Sequence, residues 1–229
     1  MNNIDCILIC NGKCGSSTLL STMIANGFNT IKVHSKRYFI HEFKYDGLID
    51  TININSRNKL LYIIDSYRTP IEREISGFFE NIHRYVPAYK NKSCEELIHF
   101  FNTKCLNYNQ SESINEILDE YKIKRFTQFD FNKGYISKQV GNIVFIKLLF
   151  KDIHKWDILL SNILGKQITI TNGNLSKDKD YYTLYEHFKK KYKVPKSYIT
   201  SLQTNEAFKI YNTKEEQELY VNTWVERSY

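Results

Sequence analysis

The first 27 residues contain a strand, a lysine-bearing turn and a helix in direct succession, and this unit constrains the fold more than any other stretch. The apolar run Ile4–Cys10 has the length and the β-branched content of a buried strand. A small polar turn, Asn-Gly-Lys-Cys-Gly, occupies residues 11–15. A helical pattern follows and ends at Gly27. Its predicted apolar face carries Leu19, Leu20, Met23 and Ile24. This order is typical of an α/β protein.

The start of this predicted helix is suited to bind an anion. The first N–H groups of a helix have no partner inside it, and the helix dipole adds positive potential there. Gly15 lets a ligand approach the backbone, and Lys13 adds a positive charge. The remaining candidate contacts are Cys14, Ser16, Ser17 and Thr18. Together these groups favour a phosphate- or sulfate-like ligand.

The order of residues in this turn differs from that of a Walker A loop. That loop reads G-x-x-x-x-G-K-[ST], with the lysine after the second glycine. Here Lys13 precedes Gly15, and no glycine lies five positions before Gly15. The order Lys-x-Gly-Ser-Ser-Thr instead resembles the 5′-phosphosulfate loop of sulfotransferases. These enzymes use 3′-phosphoadenosine 5′-phosphosulfate (PAPS), so the resemblance implies that residues 13–18 contact its phosphosulfate end.

A second strand, turn and helix unit begins at residue 60. Leu60–Asp65 is a predicted strand, and Thr69 with Glu72 fits a capping box with proline at the first helical position. The segment from Arg68 to Phe78 fills the pattern R-x-P-x-x-R-x-x-S-x-F, which is similar to the 3′-phosphate site of sulfotransferases. The resemblance implies that Arg68 and Ser76 hold the 3′-phosphate. A guanidinium suits this role because it can donate two hydrogen bonds to one phosphate.

A third patch resembles sulfotransferase-like proteins described as capsular polysaccharide synthesis proteins, which carry an Asn-Lys-Trp-Tyr-Ser signature. The positions that match their pattern are Asn174, Ser176, Asp178, Lys179, Tyr181, Leu184, Tyr185 and Phe188. The chain departs from the pattern at Asp180, where the family has Trp, and at Tyr182, where it has Ser. By resemblance, Lys179 and Tyr181 would contact the cofactor or the acceptor. The similarity touches most of the chain but is specific only in these three patches.

Sulfuryl transfer to a hydroxyl needs a base, and His34 is the candidate. Residues 30–34 are a predicted strand parallel to the first, so His34 would lie at the same edge of the sheet as Lys13. An imidazole titrates near neutral pH, as a general base requires. Lys13 would stabilise the developing negative charge and is therefore the second candidate catalytic residue. His41 and Glu42 are reserve candidates for the base and for acceptor contacts.

The remaining predicted elements are less closely tied to function. They are strands at 51–55, 142–150 and 167–171, and helices at 93–106, 113–122 and 152–164, with a final helix after Thr213. Capping boxes are predicted at Ser93, Ser113 and Thr213. Lys147 lies inside an apolar strand. Its amine either faces the cofactor or reaches the surface at the rim of the sheet, and we favour the surface.

Length and composition are those of one globular domain over residues 1–229. The chain is 42% hydrophobic and 25% charged, and its net charge of +7 favours anionic ligands. It carries no nucleic-acid-binding signature. The five cysteines match no metal-binding spacing and are expected to be buried free thiols. A signal peptide and a membrane-spanning apolar stretch are both lacking, so we expect a cytoplasmic protein.

These patterns predict a three-layer, P-loop-like sulfotransferase fold with a mostly parallel sheet, flanking helices and a helical insertion. The predicted reaction moves a sulfuryl group from PAPS to a hydroxyl of a small-molecule or glycan acceptor, with a carbohydrate favoured. It leaves adenosine 3′,5′-bisphosphate and uses no metal. One alternative is a P-loop-type nucleotide kinase in which Asp65 binds magnesium. The other is a non-catalytic module that binds an anionic glycan or nucleotide.

Overall fold

The chain folds into two compact units. The computed structural model describes residues 3–36, 39–40, 47–108, 112–171 and 179–229. The first unit comprises Met1–Arg68 and Ser111–Asn174, and the second comprises Thr69–Gln110 and Leu175–Tyr229. The single domain expected over residues 1–229 stays a prediction.

A five-stranded sheet forms the centre of the first unit. Its strands are β1 (Cys6–Ile9), β2 (Thr30–Val33), β3 (Leu61–Tyr67), β4 (Tyr135–Val140) and β5 (Ile143–Leu149). They lie in the order β2-β1-β3-β5-β4. Strands β1, β2, β3 and β5 are parallel, whereas β4 pairs antiparallel with β5. The predicted mostly parallel sheet is therefore confirmed.

Helices account for most of the remaining described residues. In chain order they are α1 (Ser16–Ala25), α2 (Leu48–Asn55), α3 (Pro70–Glu80), α4 (Ile82–Tyr85), α5 (Cys94–Phe100), α6 (Ser113–Glu120), α7 (Trp156–Leu164), α8 (Tyr182–Lys191), α9 (Lys196–Thr204), α10 (Glu206–Ile210) and α11 (Lys214–Val225). A π-helical turn, Phe101–Cys105, continues α5, and a 3₁₀ segment, Phe150–Lys155, leads into α7.

The sheet of the first unit is covered by helices on both faces. Successive side chains of a strand point to opposite faces, so Ile63 belongs to one apolar cluster and Ile64 to the other. The cluster around Ile63 includes residues of α2 and α6. The cluster around Ile64 includes residues of α1 and α7. The sheet is thus the middle layer of an α/β unit, because burial of both faces requires helices on both sides.

The second unit is built from α3–α5 and α8–α11 around an aromatic core. The Phe188 ring contacts Phe79 and Phe101 edge to face, with centroids 5.2 and 5.7 Å apart, and it stacks on Tyr192 at 5.3 Å. Such pairs contribute both apolar burial and favourable ring electrostatics. The helix predicted at 93–106 is confirmed as α5 with its π-helical turn, and the helix predicted at 113–122 is confirmed as α6 in the first unit.

Two predicted strands are wrong. Residues 51–55 belong to α2, because the buried positions 48, 51, 52 and 55 follow the helical period. The Asn55 amide also bonds the Thr51 carbonyl at 2.7 Å and the Ile4 N–H at 2.6 Å. Residues 167–171 form no strand, since the side chains of Ser161, Asn26 and Thr22 accept from their backbone N–H groups. The edge of the sheet beside β5 is occupied by β4, which the sequence analysis missed.

The helix starts also differ from expectation at two positions. Thr69 precedes α3 without a side-chain capping bond to the described helix; the Tyr220 hydroxyl instead accepts from Ile71 N–H and donates to Glu72. Ser113 is the first residue of α6 and does not cap it. The capping boxes at Ser93 and Thr213 are confirmed.

The apolar face of α1 is narrower than predicted. Leu19 and Met23 are buried as expected, but Leu20 is only half-buried and Ile24 is 55% exposed.

No helix within the described ranges has the length and apolar character needed to span a bilayer.

Ser93 caps its helix and Thr69 does not, so we predict that substitutions at these two positions of the second unit lower the free energy of unfolding by different amounts. We expect Ser93→Ala to lower the free energy of unfolding by about 1 kcal/mol, because it removes an N-cap that accepts from Glu96 N–H at 3.1 Å. Thr69→Ala should cost less than about 0.5 kcal/mol, because its side chain makes no cap within the described chain. Urea denaturation of both variants measures the difference. Equal losses would contradict the assignment of the caps.

Candidate anion-binding site

Three of the predicted site residues follow neighbouring parallel strands of the first unit. Lys13 follows β1, His34 follows β2 and Arg68 follows β3. In the sheet, β1 lies between β2 and β3, so the connection from β1 leads to one side and the connection from β2 to β3 crosses to the other side. Ligand sites of open α/β sheets lie at the carboxyl ends of the strands, at such a reversal. The structure therefore brings these three residues to the edge where the sequence predicted a site.

The turn after β1 has the backbone conformation of an anion-binding loop. Lys13 and Gly15 have φ angles of 67° and 86°, and Gly15 directly precedes α1. A left-handed residue next to a helical one forms the concave arrangement of N–H groups that binds anions. The first backbone hydrogen bond of α1 is donated by Leu19 N–H to the Gly15 carbonyl at 3.0 Å. The N–H groups of residues 16–18 come before this bond in the chain. We call residues 11–18 the anion loop.

The anion loop is packed against aromatic side chains that the sequence analysis missed. A Cβ atom at Gly15 would lie 2.7 Å from Cη2 of Trp156 and 3.0 Å from Cδ2 of Phe150. Trp156 is fully buried, and its indole N–H donates to the Leu149 carbonyl at 3.0 Å. Ser66 donates its hydroxyl to the Cys14 carbonyl at 2.5 Å. The loop is thereby supported by close packing and by a buried hydrogen bond.

Arg68 contacts the anion loop directly. Its Nη1 donates to the Lys13 carbonyl at 3.0 Å, and its guanidinium carbon lies 4.6 Å from the centre of the Phe150 ring. This stacking holds the side chain in one orientation while the planar guanidinium retains further N–H donors. The half-buried Arg68 therefore adds positive charge at the loop.

His34 is oriented by the end of β1. Its Nδ1 lies 3.0 Å from the Cys10 carbonyl oxygen. A carbonyl oxygen only accepts, so we assign the proton of the neutral ring to Nδ1. The lone pair of that tautomer is on Nε2, which is the atom that a general base uses.

The Lys147 ammonium pairs with two carboxylates in the interior of the first unit. Lys147 is only 1% exposed, and its Nζ lies 2.7 Å from Asp65 Oδ2 and also bonds Glu112 Oε1. Asp65 and Lys147 are opposite one another on the paired strands β3 and β5. The expected surface position of this amine is therefore wrong, because a buried ammonium needs charged partners, and Asp65 and Glu112 are those partners.

Asp65 has an altered acidity in this ion cluster, which we define as Asp65, Glu112 and Lys147. Burial raises the pKa of the Asp65 carboxyl to about 6; the Lys147 ammonium opposes this shift, and the Glu112 charge adds to it. The other oxygen of Asp65, Oδ1, accepts from Ser66 N–H at 2.7 Å.

Burial also raises the pKa of the Cys10 thiol well above its usual range, so Cys10 stays protonated.

The other predicted loop residues lie in the anion loop with different exposures. Ser16, Thr18 and Cys14 are buried, whereas Ser17 is half-buried.

All five cysteines are free thiols, and four of them are buried, with Cys105 half-buried. The free state expected from the sequence is confirmed.

Ser76 and Tyr181 belong to the second unit. Ser76 is buried, with its hydroxyl 3.3 Å from the Tyr185 hydroxyl. Tyr181 is buried too, donates to Glu80 at 2.9 Å, and packs against Phe79 with centroids 5.8 Å apart. Burial raises the pKa of the Tyr181 phenol, which makes it a hydrogen-bond donor over the physiological range.

Several of the predicted site residues stay predictions. Lys179 is half-buried and lies just before α8. The residues outside the described ranges are His41, Glu42, Asn174, Ser176 and Asp178. Within the part of the chain that is described, no three His, Cys, Asp or Glu side chains are grouped to hold a metal ion. The metal-free reaction stays a prediction.

The close packing at Gly15 predicts a larger effect of substitution there than at Gly27. Both glycines have a φ angle near 85°, at 86° and 83°, but a Cβ at Gly27 meets nothing within 4 Å. We expect Gly27→Ala to cost about 1 kcal/mol of unfolding free energy, from backbone strain alone. Gly15→Ala should cost about 2–4 kcal/mol, because overlap with Trp156 adds to that strain. Chemical denaturation checks both values, and similar losses would contradict the packing at Gly15.

The raised pKa of Asp65 predicts a pH dependence of stability with a defined sign. A carboxyl that is more basic in the folded state binds its proton more tightly there, so it contributes stability that is lost as the pH rises from 3.8 to about 6. The difference in unfolding free energy between the wild type and Asp65→Asn should therefore fall across this range, by at most on the order of 1 kcal/mol per pH unit. Urea titrations at several pH values measure it. A difference that rises with pH would show that the pKa is lowered.

Comparisons with models of protein families, with curated proteins and with solved structures found no match to this chain.

Proposed function

We propose that the chain is a PAPS-dependent sulfotransferase with a P-loop-like sulfotransferase fold. The acceptor hydroxyl, which we propose to be that of a carbohydrate, attacks the sulfur of PAPS. The new bond joins the acceptor oxygen to sulfur, and the bond between sulfur and the bridging phosphate oxygen breaks. Adenosine 3′,5′-bisphosphate leaves, and the hydroxyl proton passes to a base.

The observation that carries the proposal is the anion loop at the end of β1, with the Arg68 guanidinium bonded to it. The loop combines the positive end of α1 with the charge of Lys13. Sulfuryl transfer develops negative charge on the bridging oxygen, and fixed N–H groups and cations stabilise such charge. The loop therefore suits the phosphosulfate end of the cofactor, where Lys13 would act on the leaving oxygen.

His34 would accept the proton of the acceptor hydroxyl. Its Nδ1–H bond to Cys10 leaves Nε2 as the basic atom, and His34 directly follows the strand beside β1. Proton transfer to a positioned imidazole typically accelerates a reaction by about 10²–10⁴-fold. A non-catalytic binding module would not require this residue.

The 3′-phosphate is assigned to Arg68 and Ser76 by the resemblance of their pattern to that of sulfotransferases. Arg68 has the stronger support, because stacking on Phe150 fixes its guanidinium beside the anion loop. The assignment of Ser76, and of the acceptor contacts His41, Glu42, Lys179 and Tyr181, rests on the sequence alone. The positive charge of Lys13, Arg68 and the helix start would serve the reaction without a metal.

Binding of adenosine 3′,5′-bisphosphate tests the cofactor site. We expect this ligand, added without metal at 100 times its dissociation constant, to stabilise the protein by about 2.7 kcal/mol in thermal unfolding. AMP should bind more weakly, because it lacks the 3′-phosphate. Arg68→Gln should weaken bisphosphate binding by about tenfold or more, since it removes a charged hydrogen-bond donor. Arg125→Gln is the control, because Arg125 forms an exposed pair with Asp119.

Other outcomes would contradict the proposal in distinct ways. Stabilisation only by ATP with magnesium would favour a kinase. Stabilisation by an anionic glycan but by no nucleotide would favour the binding module. A turnover assay with PAPS separates catalysis from binding: His34→Gln should abolish transfer but retain bisphosphate affinity. Unchanged turnover in this variant would remove His34 from the mechanism.

A further inference from the structure

We propose that Glu112 and Ser113, held in place by the buried ammonium of Lys147, position His34 and the anion loop for the reaction. This inference rests on the proposed function, in which His34 is the base. It adds positioning residues that act through hydrogen bonds and do not touch the cofactor.

The position of Glu112 is determined by Lys147. Glu112 directly precedes α6, where a carboxylate usually accepts from the first N–H groups of a helix. Its side chain makes no such capping bond to the described helix and instead bonds the Lys147 ammonium. Because Lys147 is also paired with Asp65, the ammonium links the start of α6 to strands β3 and β5.

Ser113, the residue after Glu112, hydrogen-bonds the backbone of His34. Its hydroxyl lies 2.6 Å from the His34 carbonyl oxygen and 2.7 Å from Oδ1 of Asn11, the first residue of the anion loop. The single hydroxyl proton is shared between these acceptors. His34 is thus held at its backbone by Ser113 and at its ring by the Cys10 carbonyl. Loss of the hydroxyl releases one of these two restraints.

The ion cluster is also connected to the anion loop through Ser66. Asp65 accepts from Ser66 N–H, and Ser66 donates its hydroxyl to the Cys14 carbonyl. The base and the loop are therefore connected to one buried charge. Lys147 itself is too deeply buried to contact a ligand, so its role is one of positioning.

The His34 ring offers a readout that a purely structural effect would not change. The chain has six histidines, and the absence of a signal in His34→Gln assigns the ¹⁵N resonances of His34. We expect the neutral ring of the wild type to be protonated at Nδ1, because that atom donates to Cys10. In Ser113→Ala we expect a mixture of tautomers and a shifted titration midpoint, together with about tenfold weaker bisphosphate binding.

Ser161→Ala is the matched control for Ser113→Ala. The Ser161 hydroxyl also makes two hydrogen bonds in the first unit, donating to the Asp157 carbonyl at 2.6 Å and accepting from Ile168 N–H at 2.8 Å. We expect both variants to lose similar stability, whereas only Ser113→Ala changes the His34 signals and the binding of bisphosphate. If the two variants leave the His34 tautomer and titration equally unchanged, the proposal is wrong.

Glu112 provides a test by conservative replacement. Glu112→Gln keeps an oxygen that accepts from Lys147, so it should retain the wild-type His34 tautomer, whereas Glu112→Ala should lose it. Asp119→Ala is the control, since Asp119 lies on α6 and forms an exposed pair with Arg125. If Glu112→Ala fails to fold, the Ser113 pair still decides the question. A wild type that fails to bind bisphosphate would contradict the proposed function, while the ligand-free His34 signals would still test the positioning.

Discussion

One buried ammonium shared by two carboxylates ties together the elements around the candidate site. Desolvation of Lys147, Asp65 and Glu112 is costly, and their mutual pairing offsets that cost. Removal of one partner from such a cluster typically costs about 3–5 kcal/mol, because an uncompensated charge remains in the interior. The cluster joins β3, β5 and the start of α6. The residues that follow its two carboxylates, Ser66 and Ser113, hydrogen-bond the Cys14 and His34 carbonyl groups. A polar constraint therefore determines the carboxyl edge of an otherwise apolar sheet.

Packing determines the shape of the anion loop in a different way. Trp156 and Phe150 lie so close to Gly15 that a Cβ atom there would overlap with Trp156, and the left-handed backbone at Lys13 and Gly15 turns the chain into α1. The Arg68 guanidinium stacks on the same Phe150 ring. The formal charges of the ion cluster sum to −1, and the raised pKa of its aspartate reduces that negative charge below about pH 6. An anion would thus be held by preorganised groups, with little repulsion from the interior at mildly acidic pH.

Much of the fold could be predicted from local patterns, and the errors have physical causes. The buried strands β1, β3 and β5 are continuous apolar runs, which explains why they were recognised. Edge strand β4 lacks such a run, although the Gly141–Asn142 turn after it is a hairpin signal that was overlooked. Ser93 and Ser113 fit the same capping pattern, but only Ser93 caps a helix, because the Ser113 hydroxyl bonds His34 and Asn11. The sequence predicts Lys13, His34 and Arg68 as part of a larger set of site residues, but it does not reveal Ser113, Trp156 and Phe150, which contact them or the anion loop.

Local sequence patterns are sufficient to predict the strand, loop and helix units, because hydrophobic periodicity, glycine and proline act over a few neighbouring residues. The sequence also places Lys13, His34 and Arg68 at or shortly after the ends of strands, which assigns them to one edge of a parallel sheet. Only the tertiary structure decided the partners of the buried polar groups. Lys147 and Asp65 are 82 residues apart, and Ser113 and His34 are 79 apart. Such pairs meet only after strand order and register are established, and no local pattern encodes that order.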